Sequence, residues 1–363
     1  MRRGALFVCT IAAGAALMVA GCGDEEEGGG GGSGGDGGAE AGKVAVLLPD
    51  SKSSVRWETV DRPFLKQAFD AAGVEATIQN AEGDKSTQQQ QAEQAITNGA
   101  KVLLLVNLDS GSGAAIAANA KSQDVKVIDY DRLTLEGDSD YYVSFDNEQV
   151  GRLQGEGLVE CVGDKGAQIA VLNGSPTDNN ATLFKKGYDS VINPKFESGD
   201  WTEVADQSVP DWDNQKALTI FEQMLQKADN KVDGVLAAND GLGNAAISAI
   251  KQRKLDQIPV TGQDATLQGI QNIVAGDQCM TVYKAIKKEA DAAAKLAIAL
   301  AKGETPSAPD TINNGTKDVP SVFLEPVPVT KDNIGEYLGE PDFPKKEEIC
   351  AGKLAGACTE VGI

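Results

Sequence analysis

Between residues 232 and 264 the chain reads VDGVLAANDGLGNAAISAIKQRKLDQIPVTGQD, and this stretch restricts the fold more than any other. Two short apolar runs, Val235-Leu236-Ala237-Ala238 and Ile258-Pro259-Val260, each stop on a polar cluster, Asn239-Asp240 and Gln263-Asp264. A helical pattern of Ala245, Ile247, Ile250 and Leu255 lies between them. Strand, helix and strand in that order imply a parallel pair joined by a right-handed crossover. Both strand ends then open on one edge of the sheet, where open α/β sheets bind ligands. Asn239 and Asp264 are expected to face one crevice there or, in the alternative, to cap the elements after them.

The same alternation runs along most of the chain. Strands are predicted at 44–48, 74–79, 102–106, 125–128 and 141–145, with helices at 59–72, 87–97 and 113–121. The pattern then restarts: helix 148–161, strand 168–172, helix 182–191, strand 202–207 and helix 214–227. Beyond residue 264 come a helix at 267–275, a strand at 279–283 and an Ala-rich helix at 285–301. Unbroken apolar runs such as Val102-Leu103-Leu104-Leu105-Val106 mark a parallel sheet covered on both faces. Two successive sets of similar length, in a chain of 363 residues, imply an α/β protein with two similar doubly wound lobes. From Thr311 onward, Pro320, Pro326 and Pro328 space the run Val322-Phe323-Leu324, read as a crossing between lobes and then an edge strand.

At the N-terminus Arg2 and Arg3 precede an apolar run at 5–20, too short to span a membrane comfortably. It ends on Val19-Ala20-Gly21-Cys22, so residues 1–22 read as a cleaved secretion signal. Those last four residues resemble the bacterial lipobox, which implies a lipidated Cys22 at the mature N-terminus. Residues 23–42 are Gly-rich, with a Glu25-Glu26-Glu27 run and nothing large enough for a core, as a flexible tether requires. The expected location is extracytoplasmic, anchored to the outer face of the cell membrane through the lipid alone.

The net charge is −21, and losing Arg2 and Arg3 makes the mature chain more acidic still. Charge of that sign repels phosphate backbones and excludes nucleic acid as a partner. There is no His, which excludes His-based general base catalysis and removes the commonest zinc ligand. With Cys9 lost and Cys22 lipidated, Cys161, Cys279, Cys350 and Cys358 remain. In an exported chain they suggest two disulfides, with three possible pairings. Cys350 and Cys358 flank the short loop 351–357 and are the favoured pair, which leaves Cys161 with Cys279 by elimination. No C-x-x-C occurs, and neither a metal site nor a cofactor is expected.

The residues just past each strand carry the chemistry. Arg56 and Trp57 come after the first; Asp131 and Arg132 after the fourth; Asp178, Asn179 and Asn180 after strand 168–172. Trp212 comes after strand 202–207, Asn239, Asp240 and Asp264 end the two strands of the opening unit, and Lys284 ends strand 279–283. By the strand-end rule they converge on a cleft between two lobes. The types suit a neutral polyhydroxylated ligand: carboxylates and amides for vicinal hydroxyls, an Arg fork, and indoles for an apolar C–H face.

Arg56-Trp57, Tyr130-Asp131-Arg132, Ser144-Phe145-Asp146-Asn147-Glu148, Gly174-Ser175-Pro176, Asp178-Asn179-Asn180-Ala181, Ala238-Asn239-Asp240, Gly262-Gln263-Asp264-Ala265 and Met280-Thr281-Val282-Tyr283-Lys284 carry a family likeness. So do Asn313-Asn314-Gly315 and Lys317-Asp318-Val319-Pro320-Ser321. Over about 44–333 the chain resembles the two-lobed periplasmic binding proteins, its D-xylose-binding members above all. The resemblance implies a monomeric sugar-binding component of an ABC importer, closing over D-xylose or a related monosaccharide and delivering it to the permease subunits. It implies sugar contacts from Arg56, Trp57, Asp131, Arg132, Asn180 (or Asn179, one residue away), Trp212, Asn239, Asp264 and Lys284. It also implies a three-segment hinge. One lobe would hold 43–145 plus 284–320 and the other 146–283 plus 321–340; the Cys-stapled tail at 341–363, the lipobox with its linker and the four Cys depart from the family's pattern and leave the pocket untouched. The competing enzyme class, a glycosidase with Asp131 and Asp264 as paired carboxylates, fits less well because the two fall on different lobes beside fixed donors. No nucleophile elbow, P-loop or HExxH motif occurs. A DNA-binding regulator with the same lobes would need a helix pair where the signal and tether stand, and the D-x-[DN]-x-[DN]-G calcium loop is absent.

Overall fold

The computed structural model describes residues 42–163 and 166–363. The signal, Cys22 and the tether up to residue 41 therefore lie outside the described residues.

Chain order in the first half is β1 (Lys43–Leu48), α1 (Arg62–Ala72), β2 (Ala76–Asn80), α2 (Lys85–Thr97), β3 (Ala100–Leu105), α3 (Ser110–Ser122), β4 (Lys126–Tyr130) and β5 (Tyr141–Phe145). The continuous apolar strands pack on both faces, as their sequence requires, and they run parallel. Asp84 and Asp109 start α2 and α3 by accepting the Thr87 and Ser112 backbone N–H groups.

The second half holds α4 (Asn147–Val162), β6 (Ala167–Asn173), α5 (Asn179–Ser198), β7 (Trp201–Ser208), α6 (Asn214–Lys227), β8 (Gly234–Ala237), α7 (Asp240–Gln252), α8 (Leu267–Ala275) and β9 (Met280–Tyr283). The sheet runs β7-β6-β8 with both pairs parallel. The expected strand at 258–260 shrinks to one parallel bridge, Val235 to Val260, because Pro259 has no N–H to extend a ladder. Hydrogen bonds from the Cys279 N–H to the Val260 carbonyl (2.8 Å) and from the Val282 N–H to the Gly262 carbonyl (3.2 Å) carry the layer on to β9.

From there α9 (Ile286–Ala301) returns to the first lobe. Its Ala290, Ala293, Ala294 and Ala297 face Leu65, Phe69 and Val102 in one buried cluster. β10 (Asp310–Asn313) and β11 (Asp318–Leu324) complete a seven-stranded sheet, β10-β11-β5-β4-β3-β1-β2. β12 (Val327–Thr330) pairs antiparallel with β9 in the second lobe. This corrects the third crossing: Ser321 to Leu324 pair with Tyr142 to Phe145, so the chain leaves the first lobe at Glu325-Pro326 and not at 320/321. The apolar run Val322-Phe323-Leu324 is half of a parallel pair, which a hinge segment could not be.

The C-terminal residues, with α10 (Lys346–Ile349) and α11 (Ala355–Val361), cover α8. Ile349, Phe343 and Cys358 are buried with Ile270 and Ile273. Cys350 is bonded to Cys358 across a Cα separation of 5.8 Å, and Cys161 to Cys279 across 6.4 Å. Both bridges lie in the second lobe.

Candidate functional site

The segments that follow β1, β4, β6, β7, β8 and β9, with the turn after Val260, deliver their residues to one cavity between the lobes. Ser53, Ser54, Arg56, Trp57, Asp131 and Arg132 line it from the first lobe. Asp178, Asn180, Phe184, Trp212, Asn239, Gln263 and Asp264 line it from the second, and Lys284 stands at the crossing after β9. Of the residues singled out from sequence, Asn179 and Asp240 are not among the lining residues; Asp240 is fully buried behind them. Asp178 caps α5 by accepting the Asn180 N–H at 2.9 Å, and helical rotation then turns Asn180, not Asn179, to the cleft. Phe184 lies one turn after Asn180 on the same face, a signal legible in the i, i+4 spacing.

Arg56 is the centre of the first wall. It enters a single widened helical turn, Trp57–Asp61, closed by the Arg62 N–H on the Trp57 carbonyl. Its guanidinium binds Asp61 twice at 3.1 Å, reaches Glu289 at 3.3 Å and Asp131 at 3.0 Å, and stacks 4.2 Å from the Trp57 ring centroid. Burial works against the Arg56 charge, but Asp131, Asp61 and Glu289 more than compensate and raise its pKa. Burial also pushes Asp131 up, yet Arg56, Lys284 and Arg132 outweigh it and hold that carboxyl at about 2. Behind it, burial keeps Asp61 above the ordinary range, and burial with the Asp131 charge keeps Glu289 well above it. Of these three carboxyls, Asp131, which borders the cavity, is the one whose surroundings favour the charged form. Asp61 and Glu289 gave no sequence signal, since a charge at a helical position reads as exposed.

The second wall is built from strand ends and helix starts. Asn239 caps α7 by accepting the Leu242 N–H at 2.9 Å and also borders the cavity, so both readings of this residue hold. Asp264 caps nothing; Thr266 caps α8 by accepting the Gly269 N–H. Trp212 donates from Nε1 to Asp178 Oδ2 at 3.1 Å and lies on Gly174, where any side chain would collide with the indole. Asp131, Trp212, Asp264 and Ala265 all have positive φ, a conformation held at a cost of order 1 kcal/mol or more and concentrated at binding sites.

The walls touch. Asn180 Nδ2 donates to the Asp131 carbonyl at 2.9 Å, Arg132 Nε lies 3.1 Å from Asp178 Oδ2, and Lys284 Nζ lies 3.7 Å from Asp131 and 3.5 Å from Asp264. The Arg56–Asp131 and Arg132–Asp178 pairs are close but not aligned as hydrogen bonds. Asp131 Oδ2, Arg132 Nε and Gln263 Oε1 are consequently buried with unused hydrogen-bonding capacity. The cavity is about 30 Å³, room for one or two waters.

Two parallel-sheet lobes, three crossings and a polar cleft at the strand ends define a hinged ligand receptor. The sequence matches the periplasmic binding protein domain family over residues 44–305, and the chain belongs to that family. It is 39% identical over 308 residues to the D-xylose-binding periplasmic protein of Escherichia coli strain K12, covering 85% of this chain and 92% of that one. The D-xylose-binding periplasmic protein of Haemophilus influenzae is 41% identical over 295 residues, 81% of this chain and 88% of the relative. Among solved structures, a carbohydrate transporter solute-binding protein from Chloroflexus aurantiacus in complex with D-glucose superposes with a TM-score of 0.79 at 31% identity, over 84% of this chain and 97% of that one.

Proposed function

We propose that the chain binds a neutral monosaccharide, D-xylose first, outside the cytoplasm by closing its lobes, and delivers it to an ABC-type permease. One observation carries the reading: the cavity holds buried, unused donors and acceptors while Arg56, Arg132 and Lys284 are each already paired with carboxylates. A carboxylate or phosphate ligand would find no uncompensated cation. A sugar hydroxyl both donates and accepts, and can satisfy Asp131 Oδ2 and Arg132 Nε together. The relatives that bind D-xylose support the choice of sugar. No covalent chemistry is ascribed to Asp131 and Asp264, since Lys284 lies between them within 4 Å of both carboxylates.

Calorimetric titration with xylose, arabinose, ribose and glucose tests this. Xylose is expected to bind with a Kd of about 1 μM or tighter, near −8 kcal/mol. A preference for glucose would favour the second reading, a hexose receptor, which the glucose-bound structural relative supports. No heat from any of the four sugars would defeat both.

The same proposal places the protein on the membrane through Cys22 alone, acting as a monomer. Phase partition of the unmodified chain and Cys22→Ser should move the variant to the aqueous phase; a variant still in the membrane phase refutes the lipid anchor.

A further inference from the structure

Asp240 lies one layer behind the cavity and is fully buried. Its Oδ2 accepts from the Thr266 backbone N–H at 2.8 Å and from Thr266 Oγ1 at 3.0 Å. Its Oδ1 accepts from Gln278 Nε2 and Thr281 Oγ1, both at 2.8 Å. Its own backbone N–H donates to the Gln263 carbonyl at 3.0 Å, and Thr281 Oγ1 in turn receives the Ala265 N–H at 3.3 Å. The turn 263–266 is therefore gripped on both sides of Asp264. Gly262 and Gly269 press so close that a Cβ at either would run into the carboxylate. Within the gripped turn Asp264 has φ 97° and Ala265 φ 48°. Backbone in that region persists only where its surroundings over-determine it.

We propose that Asp240 is a positioning residue for sugar recognition: its carboxylate clamps the 263–266 turn and so holds Asp264 at the cavity in its left-handed conformation. The inference rests on the sugar-binding reading. A group kept for packing alone has no need to be a carboxylate here. Burial, with the charge of Asp264 beside it, pushes Asp240 up to about 7, so ionising it costs stability.

A double-mutant cycle on the full chain separates positioning from packing. Asp240→Ala should weaken xylose binding about 10- to 100-fold, the loss expected when a charge-assisted acceptor is displaced from its hydroxyls. In an Asp264→Ala background the same change should cost less than about threefold, because the group it positions is gone. Equal losses in the two backgrounds overturn the clamp. Asp240→Asn should restore affinity to within about threefold. Its oxygen can keep Thr266 while its amide faces Thr281, whose hydroxyl can rotate to accept, and Gln278, whose side-chain amide must turn over to present Oε1 in place of Nε2. Asparagine binding as weakly as alanine also overturns it. Should Asp240→Ala not fold, Thr281→Val carries the same cycle, since that hydroxyl links the carboxylate to the Ala265 N–H. The unmodified chain is titrated first: no heat with any sugar defeats the binding reading, whereas binding with additive losses defeats the clamp alone.

Discussion

The first lobe meets the cavity with charges already set against one another, and the second meets it with the ends of its own secondary structure. Arg56 holds Asp61, Glu289 and Asp131 in a buried cluster that extends back into α9, so a pocket residue there is also part of the core. Asn239 and Asp178 sit where strands stop and helices begin and each spends an oxygen on a cap, whereas Asp264 caps nothing and, among the described residues, meets an opposite charge only in Lys284. The two walls should therefore fail in different ways. Damage to the first should appear as lost stability, and damage to the second as lost affinity.

Arg56→Met is the hardest test of that contrast. It leaves three buried carboxyls without their shared cation, and breaking a buried pair by removing one partner costs about 3–5 kcal/mol. Chemical denaturation should show a loss of that size, with sugar binding abolished as well. A variant of unchanged stability would mean that the cluster relaxes by protonation, and the contrast would lose its first half. On the other wall, Asp264→Asn should leave the melting temperature within a few degrees and weaken xylose binding by about 1.5–3 kcal/mol, or ~10- to 150-fold. Asp264→Ala should lose more affinity and still fold. Near-native affinity in Asp264→Ala would remove this residue from the site.

The same contrast explains how much of the site is legible in the residues. Strand ends are legible because apolar runs stop abruptly on polar clusters, and that rule puts Arg56, Asp131, Trp212, Asn239 and Asp264 at one cavity. The cluster behind Arg56 is not legible. Glu289 lies on an Ala-rich helix whose return to the first lobe depends on a crossing more than 200 residues later, and no local pattern marks a buried carboxyl. The last crossing is misplaced for a related reason: Pro320 looks like a break, yet Val319 and Ser321 pair on either side of it with β10. An antiparallel neighbour leaves alternate N–H groups unused, and a proline fits at such a position.

The smallest expected effect is in the pH dependence of stability, and it can be assigned lobe by lobe. Asp129, in the first lobe, is raised by burial to about 6 despite hydrogen bonds from Thr134. Asp240, in the second, is raised by burial and by Asp264 to about 7. Both folded values exceed the ordinary 3.8, so the folded state binds protons more tightly than the unfolded chain. The stability this contributes is fully present below pH 3.8 and is lost as pH rises through about 6 and then about 7. Asp131 has the opposite sign: held at about 2, it stabilises above 3.8 and loses that contribution as pH falls toward 2. Melting temperature should therefore peak near pH 4–5 and decline by several degrees toward pH 8. Asp240→Asn, neutral at every pH, should flatten the limb near pH 7, and Asp129→Asn the limb near pH 6. Because the whole chain also grows more anionic over that range, the flattening in each variant is the decisive readout. A decline as steep in both variants as in the unmodified chain would remove these two carboxyls from it.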